Sequence, residues 1–274
     1  RDVKGVVLLS YMLKKIKSKY SLQCICLENV SSKTKSLLLK NGVKTVVVNF
    51  ENTLLNNGLN SNIVKNLVIK NYFGKFIIFL LQTDDVCVYL DSDLLIEKNI
   101  DHLFDNSIVS DKYNILMARD MLFDKATNKF ILQKRRFNSG VIVFRPNLEH
   151  FVEFIKIVNS FPHTHTNEGV DNFNRIIKTD QEILNNIITL NIHELDHKFN
   201  ALPYTIELFT KKGILNEPPH VIHYIHTPKP WNYVELSVDK HIMVYQNKTQ
   251  LLYYEKGLDL YNEYIKKEYK INLN

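Results

Sequence analysis

The chain has 274 residues, 45% of them apolar, so it can bury the core of one large α/β domain or two small ones, which excludes a disordered segment. A formal net charge of +6 favours a negatively charged partner such as a nucleotide diphosphate. The three cysteines lack disulfide-type spacing, and no apolar run reaches the ~18 residues of a membrane-spanning helix. These features favour free thiols in a reducing, cytoplasmic compartment.

The first hundred residues alternate between helix-type and strand-type patterns at short intervals. Such alternation predicts an α/β fold with a Rossmann-like, mostly parallel sheet that carries helices on both faces. Ligands of such sheets bind beyond the carboxyl ends of the strands, so functional residues should directly follow apolar strands. The predicted elements are helix 3–17, strand 22–28, helix 32–40, strand 43–49, helix 62–82 and strand 86–90.

The second part of the chain shows the same two patterns, with no internal repeat and no long linker, so a single domain is predicted. The terminal helix has an amphipathic pattern. The predicted elements are strand 141–145, helices 147–159 and 180–190, strand 220–225 and helix 258–270.

An acidic triplet, Asp91-Ser92-Asp93, follows the apolar strand VCVYL directly. Two carboxylates at this spacing can aim at one ion if the chain turns between them. Mg²⁺ and Mn²⁺ prefer oxygen ligands and accept phosphate oxygens as well, so the triplet is a candidate metal and diphosphate site. The alternative is an exposed acidic turn, since Asp and Ser are ordinary turn residues.

Further motifs follow in order along the chain, from residue 60 to residue 235, and together they resemble the retaining glycosyltransferases of family 8, the glycogenin-like group. The resemblance implies a GT-A fold, a UDP-linked sugar donor, Mn²⁺ with Mg²⁺ as the alternative, and transfer with retention of the anomeric configuration. The matching stretches are YLDSD with IDHLFD after it, FNSGVIVF, DQEILN, KFNALPY and VIHYIHTPKPWNY.

The resemblance also implies roles for individual residues. The implied metal ligands are Asp91, Asp93 and His223, and the implied catalytic residues are Asp180, Gln181 and Lys229. The last of these would meet the donor phosphates. The implied donor site comprises Lys75, Asp91, Ser92, Asp93, Asn138, Ser139, Gly140, Asp180, Gln181, His223 and Lys229.

The same resemblance divides the single GT-A domain, residues 1–274, into three parts. Residues 1–110 form a nucleotide-binding half, residues 111–235 bind donor sugar and acceptor, and residues 236–274 form a C-terminal helical extension. The family begins with a strand that binds uracil and ribose. Here the chain starts at the following helix, so this first strand is expected to be missing.

Two mechanisms are open for a retaining transfer. Asp180 could attack as a nucleophile, as carboxylates do in many retaining glycosidases. Alternatively, the acceptor attacks from the face of the departing diphosphate, and Asp180 and Gln181 position sugar and charge. The second scheme is favoured.

The donor sugar is taken as glucose by analogy with glycogenin, and the acceptor is left open among protein, glycan and polyol. Self-glucosylation is not expected, because Glu207 stands near the position of glycogenin's acceptor tyrosine. Related enzymes pair, which predicts a homodimer. The heavy use of Asn, Lys and Ile indicates an AT-rich genome, such as that of a protist or of a large virus whose protein would act in the host cytoplasm.

Two other functions compete with this interpretation. His193 to His197 fit the zinc-protease pattern H-E-x-x-H, which requires a helix, although the flanking residues are β-prone. The chain could also be a catalytically inactive module that binds a nucleotide sugar. Nucleic-acid binding is not expected, because the lysines are scattered rather than interleaved with aromatic residues.

Overall fold

The computed structural model describes residues 3–59, 61, 64, 72–109, 111, 114–124, 129–160, 179–187, 191–225, 229–231 and 248–269, without the side chains of 122–124, 129, 130, 134, 135, 268 and 269. The α-helices are α1 Val3–Lys15, α2 Ser32–Lys40, α3 Phe50–Asn56, α4 Leu148–Ser160, α5 Asp180–Leu184, α6 Ile206–Lys211 and α7 Lys248–Tyr269. The strands are β1 Gln23–Leu27, β2 Lys44–Val48, β3 Cys87–Leu90, β4 Leu94–Ile96, β5 Asn114–Asp124, β6 Lys129–Phe144, β7 Asn191–Glu194 and β8 Val221–His223. Short 3-10 helices cover Tyr72–Leu80, Asp101–Phe104 and His197–Phe199.

The first two strands pair in parallel across a helical connection, as the sequence predicts. β1 and β2 are in register from the Gln23–Lys44 pair to the Leu27–Val48 pair. Ser31 begins the connecting helix α2, since its side chain accepts a hydrogen bond from the backbone N–H of Thr34. The helix–strand alternation predicted here is therefore confirmed.

The central sheet is mixed rather than mostly parallel, with strand order β3-β6-β5-β7. β5 and β6 form an antiparallel hairpin, and β6 also pairs antiparallel with β3, whereas β7 pairs parallel with β5. The hairpin is the reason for the difference, because consecutive strands joined by a short connection run in opposite directions. Of the two hairpin strands, only the end of β6 was predicted from the sequence.

The hairpin is irregular where the motif FNSG lies. Between the pairs Met117–Ile142 and Arg119–Phe137, β5 contributes only Ala118, whereas β6 contributes the residues 138–141. This surplus is a bulge in β6, and bulges re-aim side chains at the edges of sites. The motif therefore lies inside a bulged strand.

Apolar side chains of the central sheet pack into two hydrophobic cores, one on each face of the sheet. Along β6, Val141 and Val143 join one buried cluster while Ile142 and Phe144 join the other. α1 packs in the first cluster and α4 in the second. The expected α/β architecture with helices on both faces is thus present, because alternate residues of a strand point to opposite faces.

The remaining helices differ in extent from the predictions. α5 ends at Leu184 rather than at residue 190, since the amides of Asn185 and Asn186 turn back to the carbonyl oxygens of Gln181 and Glu182. α7 begins ten residues earlier than predicted. Of the predicted helix 62–82, the stretch Tyr72–Leu80 is a 3-10 helix, and residues 62, 63 and 65–71 lie outside the described part.

A cavity of about 920 Å³ lies between β1 and β3, and α1 lines one side of it through Val6, Leu9 and Leu13. Within the described residues, no strand pairs with the edges of β1 and β3 that face this cavity. Among the described helices, none has both the length and the apolar character needed to cross a bilayer.

α1 approaches the turn between β3 and β4 so closely that only glycine fits at position 5. A Cβ atom there would overlap the carbonyl oxygen of Ser92 and lie 2.9 Å from its carbonyl carbon and 3.2 Å from Cζ2 of Trp231. The Ser92 atoms belong to the backbone, which cannot rotate away as a side chain can. The contact fixes the position of the Asp91–Asp93 turn against α1.

We predict that Gly5→Ala lowers the free energy of unfolding by about 2 kcal/mol or more through this overlap, although alanine is the better helix former by about 1 kcal/mol. Urea unfolding measures the change. Gly74→Ala is the matched control, because among the described residues its Cβ would meet only two side-chain atoms of Leu27, at 3.6 Å and 3.9 Å. Equal stabilities of the two variants would contradict the prediction.

Candidate active site

Three predicted metal ligands are brought together by the pairing of β4 with β8. Leu94 pairs with His223, so Asp93 at the start of β4 lies beside the imidazole. Asp91 follows β3 and is held against β6 by a hydrogen bond from its backbone N–H to the carbonyl oxygen of Gly140, at 2.8 Å. The carboxyl end of one strand and the end of another therefore supply all three side chains, where the fold class predicts a site.

The ligand atoms of Asp91, Asp93 and His223 lie within 4.8 Å of one another. Nε2 of His223 is 3.2 Å from Oδ1 of Asp93 and 3.8 Å from Oδ2 of Asp91. Among the described residues, this is the group of histidine, cysteine and acidic side chains that could hold a metal ion. Two carboxylates and one imidazole suit Mn²⁺, which accepts both oxygen and nitrogen ligands.

The other ring nitrogen of His223 is held by two amide oxygens. Nδ1 lies 3.2 Å from Oδ1 of Asn138 and 3.0 Å from Oδ1 of Asn200. Both contacts require a proton on Nδ1, since carbonyl oxygens only accept hydrogen bonds. In neutral imidazole this leaves the lone pair of Nε2 facing the carboxylates, which is the tautomer that binds a metal.

Gly140 lies directly beneath the His223 ring. A Cβ atom at this position would overlap Cε1 and Nδ1 of the ring and lie 3.1 Å from Oδ1 of Asn138. The glycine therefore supports the metal group, and its implied place in the donor site stays a prediction. Asn138 is likewise 7% exposed and bonded to His223, the Asn200 amide and the Gly140 N–H.

Lys75 joins the two acidic parts of the site. Its Nζ lies 3.2 Å from Asp91, 2.5 Å from Asp180 and 3.0 Å from Oγ of Ser139, and its side chain is 6% exposed. Burial alone would lower the pKa of Lys75, but the carboxylates of Asp91 and Asp180 outweigh it and raise the pKa. Lys75 is therefore a fixed positive charge between two carboxylates.

The two carboxylates of the acidic triplet have opposite electrostatic environments. Burial raises the pKa of Asp91, and the attraction of Lys75 and of His223 with both ring nitrogens protonated offsets this only in part. Burial acts in the same direction on Asp93, but the hydrogen bonds and charges of this imidazolium and of Lys229 hold its pKa well below the usual range. A bound metal ion would replace the proton on Nε2. Lys229 reaches Asp93 at 2.6 Å and also donates to the carbonyl oxygen of Tyr224.

α5 begins with a capping box, in which Thr179 and Glu182 satisfy each other's backbone N–H groups. This cap places Asp180 and Gln181 at the first turn. Oδ2 of Asp180 accepts from Oγ of Ser139 at 3.1 Å, and Oε1 of Gln181 accepts from the backbone N–H of Ser139 at 3.3 Å. The start of α5 is thus locked to the bulge of β6.

The structure brings together the predicted site residues. The carbonyl of Ser92 faces Gly5 of α1, so this residue links the site to the helix. The proposed roles in catalysis and donor binding stay predictions, since geometry alone does not test them.

Three further residues contact the site and were assigned no role from the sequence. Tyr89 donates a hydrogen bond to Oδ1 of Asp91 at 2.7 Å, and burial raises the pKa of its hydroxyl well above the usual value. Oδ1 of Asn200 accepts a hydrogen bond from Nδ1 of His223, and Asp120 accepts one from Nε2 of Gln181 at 2.8 Å. Tyr89 could have been found, since residues two apart in a strand share a face.

The zinc-protease alternative is wrong on structural grounds. His193 is an exposed residue of β7, and His197 begins a 3-10 helix in which its ring packs edge-on against Phe209. The pattern H-E-x-x-H binds zinc only when one helix puts both imidazoles on the same face. A strand followed by a 3-10 turn does not provide that face.

Two plant proteins are similar to this chain. Galactinol synthase 1 of Solanum lycopersicum is 25% identical over 271 residues, which cover 95% of this chain and 78% of that protein. Galactinol synthase 1 of Arabidopsis thaliana is 26% identical over 185 residues, which cover 59% of this chain and 52% of that protein.

Solved structures are similar in fold. An active-site mutant of LgtC gives a TM-score of 0.52 at 16% identity, and the matched region covers 88% of this chain and 90% of the LgtC chain. The glycosyltransferase GlyE of Streptococcus pneumoniae TIGR4 gives a TM-score of 0.52 at 19% identity and covers 96% of this chain and 61% of its own. These neighbours have the GT-A fold, so the predicted fold class is confirmed.

The sequence profile described as glycosyl transferase family 8 matches residues 4–235, which include every residue of the candidate site. The match agrees with the resemblance drawn from the five sequence motifs and with the shared fold. This chain belongs to glycosyl transferase family 8.

Proposed function

We propose that the protein is an active, metal-dependent, retaining hexosyltransferase that takes its sugar from a UDP-linked donor. The observation that carries the proposal is the convergence of Asp91, Asp93 and His223, with Nε2 of the histidine turned toward both carboxylates. A bound Mn²⁺ would neutralise the donor diphosphate and stabilise it as a leaving group. Mg²⁺ is the alternative ion, since two of the three ligands are carboxylates.

Two lysines flank this group and support binding of a diphosphate. Lys75 lies beside Asp91 and Lys229 beside Asp93, so positive charge stands on both sides of the triplet. An ammonium group acts on phosphate oxygens as a point charge. In a partly buried site such charges stabilise a departing diphosphate more strongly than in water.

The surroundings of Asp180 support the front-face scheme. Its Oδ2 is already engaged by Lys75 at 2.5 Å and by Ser139 at 3.1 Å. A carboxylate paired in this way is a poorer nucleophile, because its negative charge is already compensated. In the front-face scheme, the bond from the anomeric carbon to the diphosphate breaks, and its electron pair leaves with the phosphate. The acceptor hydroxyl bonds on the same face, and its proton passes to the departing phosphate oxygen.

The donor sugar and the acceptor are the finer part of the proposal. Glucose is the default sugar, and the two similar galactinol synthases bring galactose and a polyol acceptor into consideration. A protein or a glycan remains an alternative acceptor. The division at residues 110 and 235 into a nucleotide half, a sugar and acceptor half and a helical extension is proposed along with them.

A donor panel tests the function directly. The purified protein is incubated with Mn²⁺ and with UDP-glucose, UDP-galactose or another UDP-sugar, and UDP release is followed with and without each class of acceptor. We expect release to require Mn²⁺ and one preferred sugar. A donor that raises the unfolding temperature but is never cleaved would favour the inactive binding module instead.

We predict that Asp93→Asn abolishes the rise in unfolding temperature that Mn²⁺ causes in the wild type, since it removes the carboxylate nearest His223. The affinity for the ion should fall by about 100-fold or more, beyond the effect of losing a supporting residue. Thermal unfolding across an Mn²⁺ titration measures it. Asp259→Asn, an exposed position of α7, is the control and should keep the full shift. A retained shift in Asp93→Asn would rule out this site.

We predict that Gly140→Ala weakens Mn²⁺ binding at least tenfold without removing any ligand. The added methyl group overlaps the His223 ring, so the imidazole must leave its place between Asn138, Asn200 and the carboxylates. Isothermal titration calorimetry with Mn²⁺ measures the affinity, and circular dichroism checks the fold. Gly74→Ala should bind as the wild type does, and wild-type affinity in Gly140→Ala would contradict the prediction.

A further inference from the structure

Asp120 is a buried carboxylate of β5, with 6% of the residue exposed. Its Oδ2 accepts two hydrogen bonds, one from Nε2 of Gln181 at 2.8 Å and one from Nε of Arg136 at 2.9 Å. Neither the metal group nor the lysines contact it in the described structure. A buried charge costs free energy unless hydrogen bonds and an opposite charge compensate it, and these two partners supply both.

The irregular hairpin brings these partners to Asp120. Between the pairs Arg119–Phe137 and Met121–Leu132, β5 contributes only Asp120, whereas β6 contributes residues 133–136. This second surplus in β6 brings Arg136 beside the carboxylate. The arginine side chain is 37% exposed and the Asp120 side chain 8%, so the charge of the carboxylate is compensated from the solvent side.

The two hydrogen bonds of Gln181 agree on one orientation of its amide. A carboxylate only accepts hydrogen bonds, so the NH₂ group must face Asp120. The carbonyl oxygen then faces the backbone N–H of Ser139, as observed at 3.3 Å. The reversed amide would set its oxygen against the carboxylate and its NH₂ against an N–H donor, losing both bonds.

We propose that Asp120 is a positioning residue that fixes the amide of Gln181, so that its carbonyl oxygen points to the side of Ser139 and Asp180. This inference rests on the proposed function and on the implied place of Ser139 and Asp180 in the donor site. Positive charge develops on the sugar as its bond to the diphosphate breaks. A fixed amide oxygen stabilises that charge, whereas a reversed amide would present its partly positive NH₂ group.

A merely structural role would also use these contacts, since the Arg136–Asp120 pair ties the two hairpin strands together. The two roles differ in what Gln181 must do. In the structural role the amide orientation is irrelevant to turnover, and loss of the pair lowers stability alone. In the positioning role the effect of Asp120 on turnover passes through residue 181.

The test uses Asp120→Ala, Gln181→Glu and the double variant Asp120→Asn with Gln181→Glu, each compared with the wild type. Asp120→Ala removes both acceptor oxygens, whereas asparagine would keep one, so Asp120→Ala should lower kcat for UDP release by about tenfold or more, with KM for the donor changed less than about twofold. Gln181→Glu sets a carboxyl against the Asp120 carboxylate at hydrogen-bond distance. Two such groups cannot both ionise, so the pKa of the introduced carboxyl should be raised.

The sign of the pH effect follows from this raised pKa. At low pH the protonated carboxyl donates to Asp120 as the amide did, and as pH rises through the raised pKa, both turnover and unfolding temperature should fall. In the double variant the asparagine NH₂ can donate to the new carboxylate, so this fall should disappear. Among the described residues, Arg136 pairs with Asp120 and Tyr204 lies close enough to interact with its charge, and both are unchanged in all variants.

The outcomes separate the two proposals. Wild-type protein that cleaves no UDP-sugar overturns the proposed function and the positioning role with it. If the wild type cleaves a UDP-sugar but Gln181→Glu and the double variant have parallel pH profiles, the positioning role alone is overturned. The pH dependence of unfolding temperature reports the contact independently of turnover, and an equal dependence in both variants would show that the two side chains are not coupled.

Discussion

The site depends on one electrostatic constraint, which is that three carboxylates share a partly buried space. Asp91, Asp93 and Asp180 have side chains 25%, 18% and 14% exposed, too little for water to compensate their charges fully. Lys75 stands between Asp91 and Asp180, and Lys229 contacts Asp93. The carboxylates can stay ionised and close together because positive charge lies among them.

The backbone holds these charges in place by close approach rather than by large side chains. Gly5 lets α1 touch the turn that carries the acidic triplet, and Gly140 lets β6 pass beneath the His223 ring. The bulges of β6 give Ser139 and Arg136 positions that a regular strand would not give. The two glycines and the bulges have the same consequence, because each lets the backbone form a rigid support for charged side chains.

The periodicity of apolar residues and the order of the motifs predict many of the helices, strands and site residues. Most of the features that they miss depend on which strands pair with each other. The strand before Asp91 is short and wholly apolar, so both it and the acidic turn after it can be read from the sequence. The hairpin cannot be read in this way, because the bulges interrupt the alternation of β5 and β6 that would reveal it. For the same reason Asp120 looks like a surface charge in the sequence, although its buried position depends on residues from β6 and α5 that fold against it.

The opposite pKa shifts of Asp91 and Asp93 indicate how the site can accept a divalent ion and a diphosphate together. Without an ion, Asp93 stays ionised because Lys229 and the protonated ring of His223 hold its pKa low, while burial raises the pKa of Asp91. An ion between the two carboxylates would add positive charge and reverse the effect on Asp91. With the carboxylates compensated by the ion, the ammonium groups of Lys75 and Lys229 could turn their charge toward phosphate oxygens. Ion and donor would then strengthen each other's binding, as expected when two ligands share one set of charges.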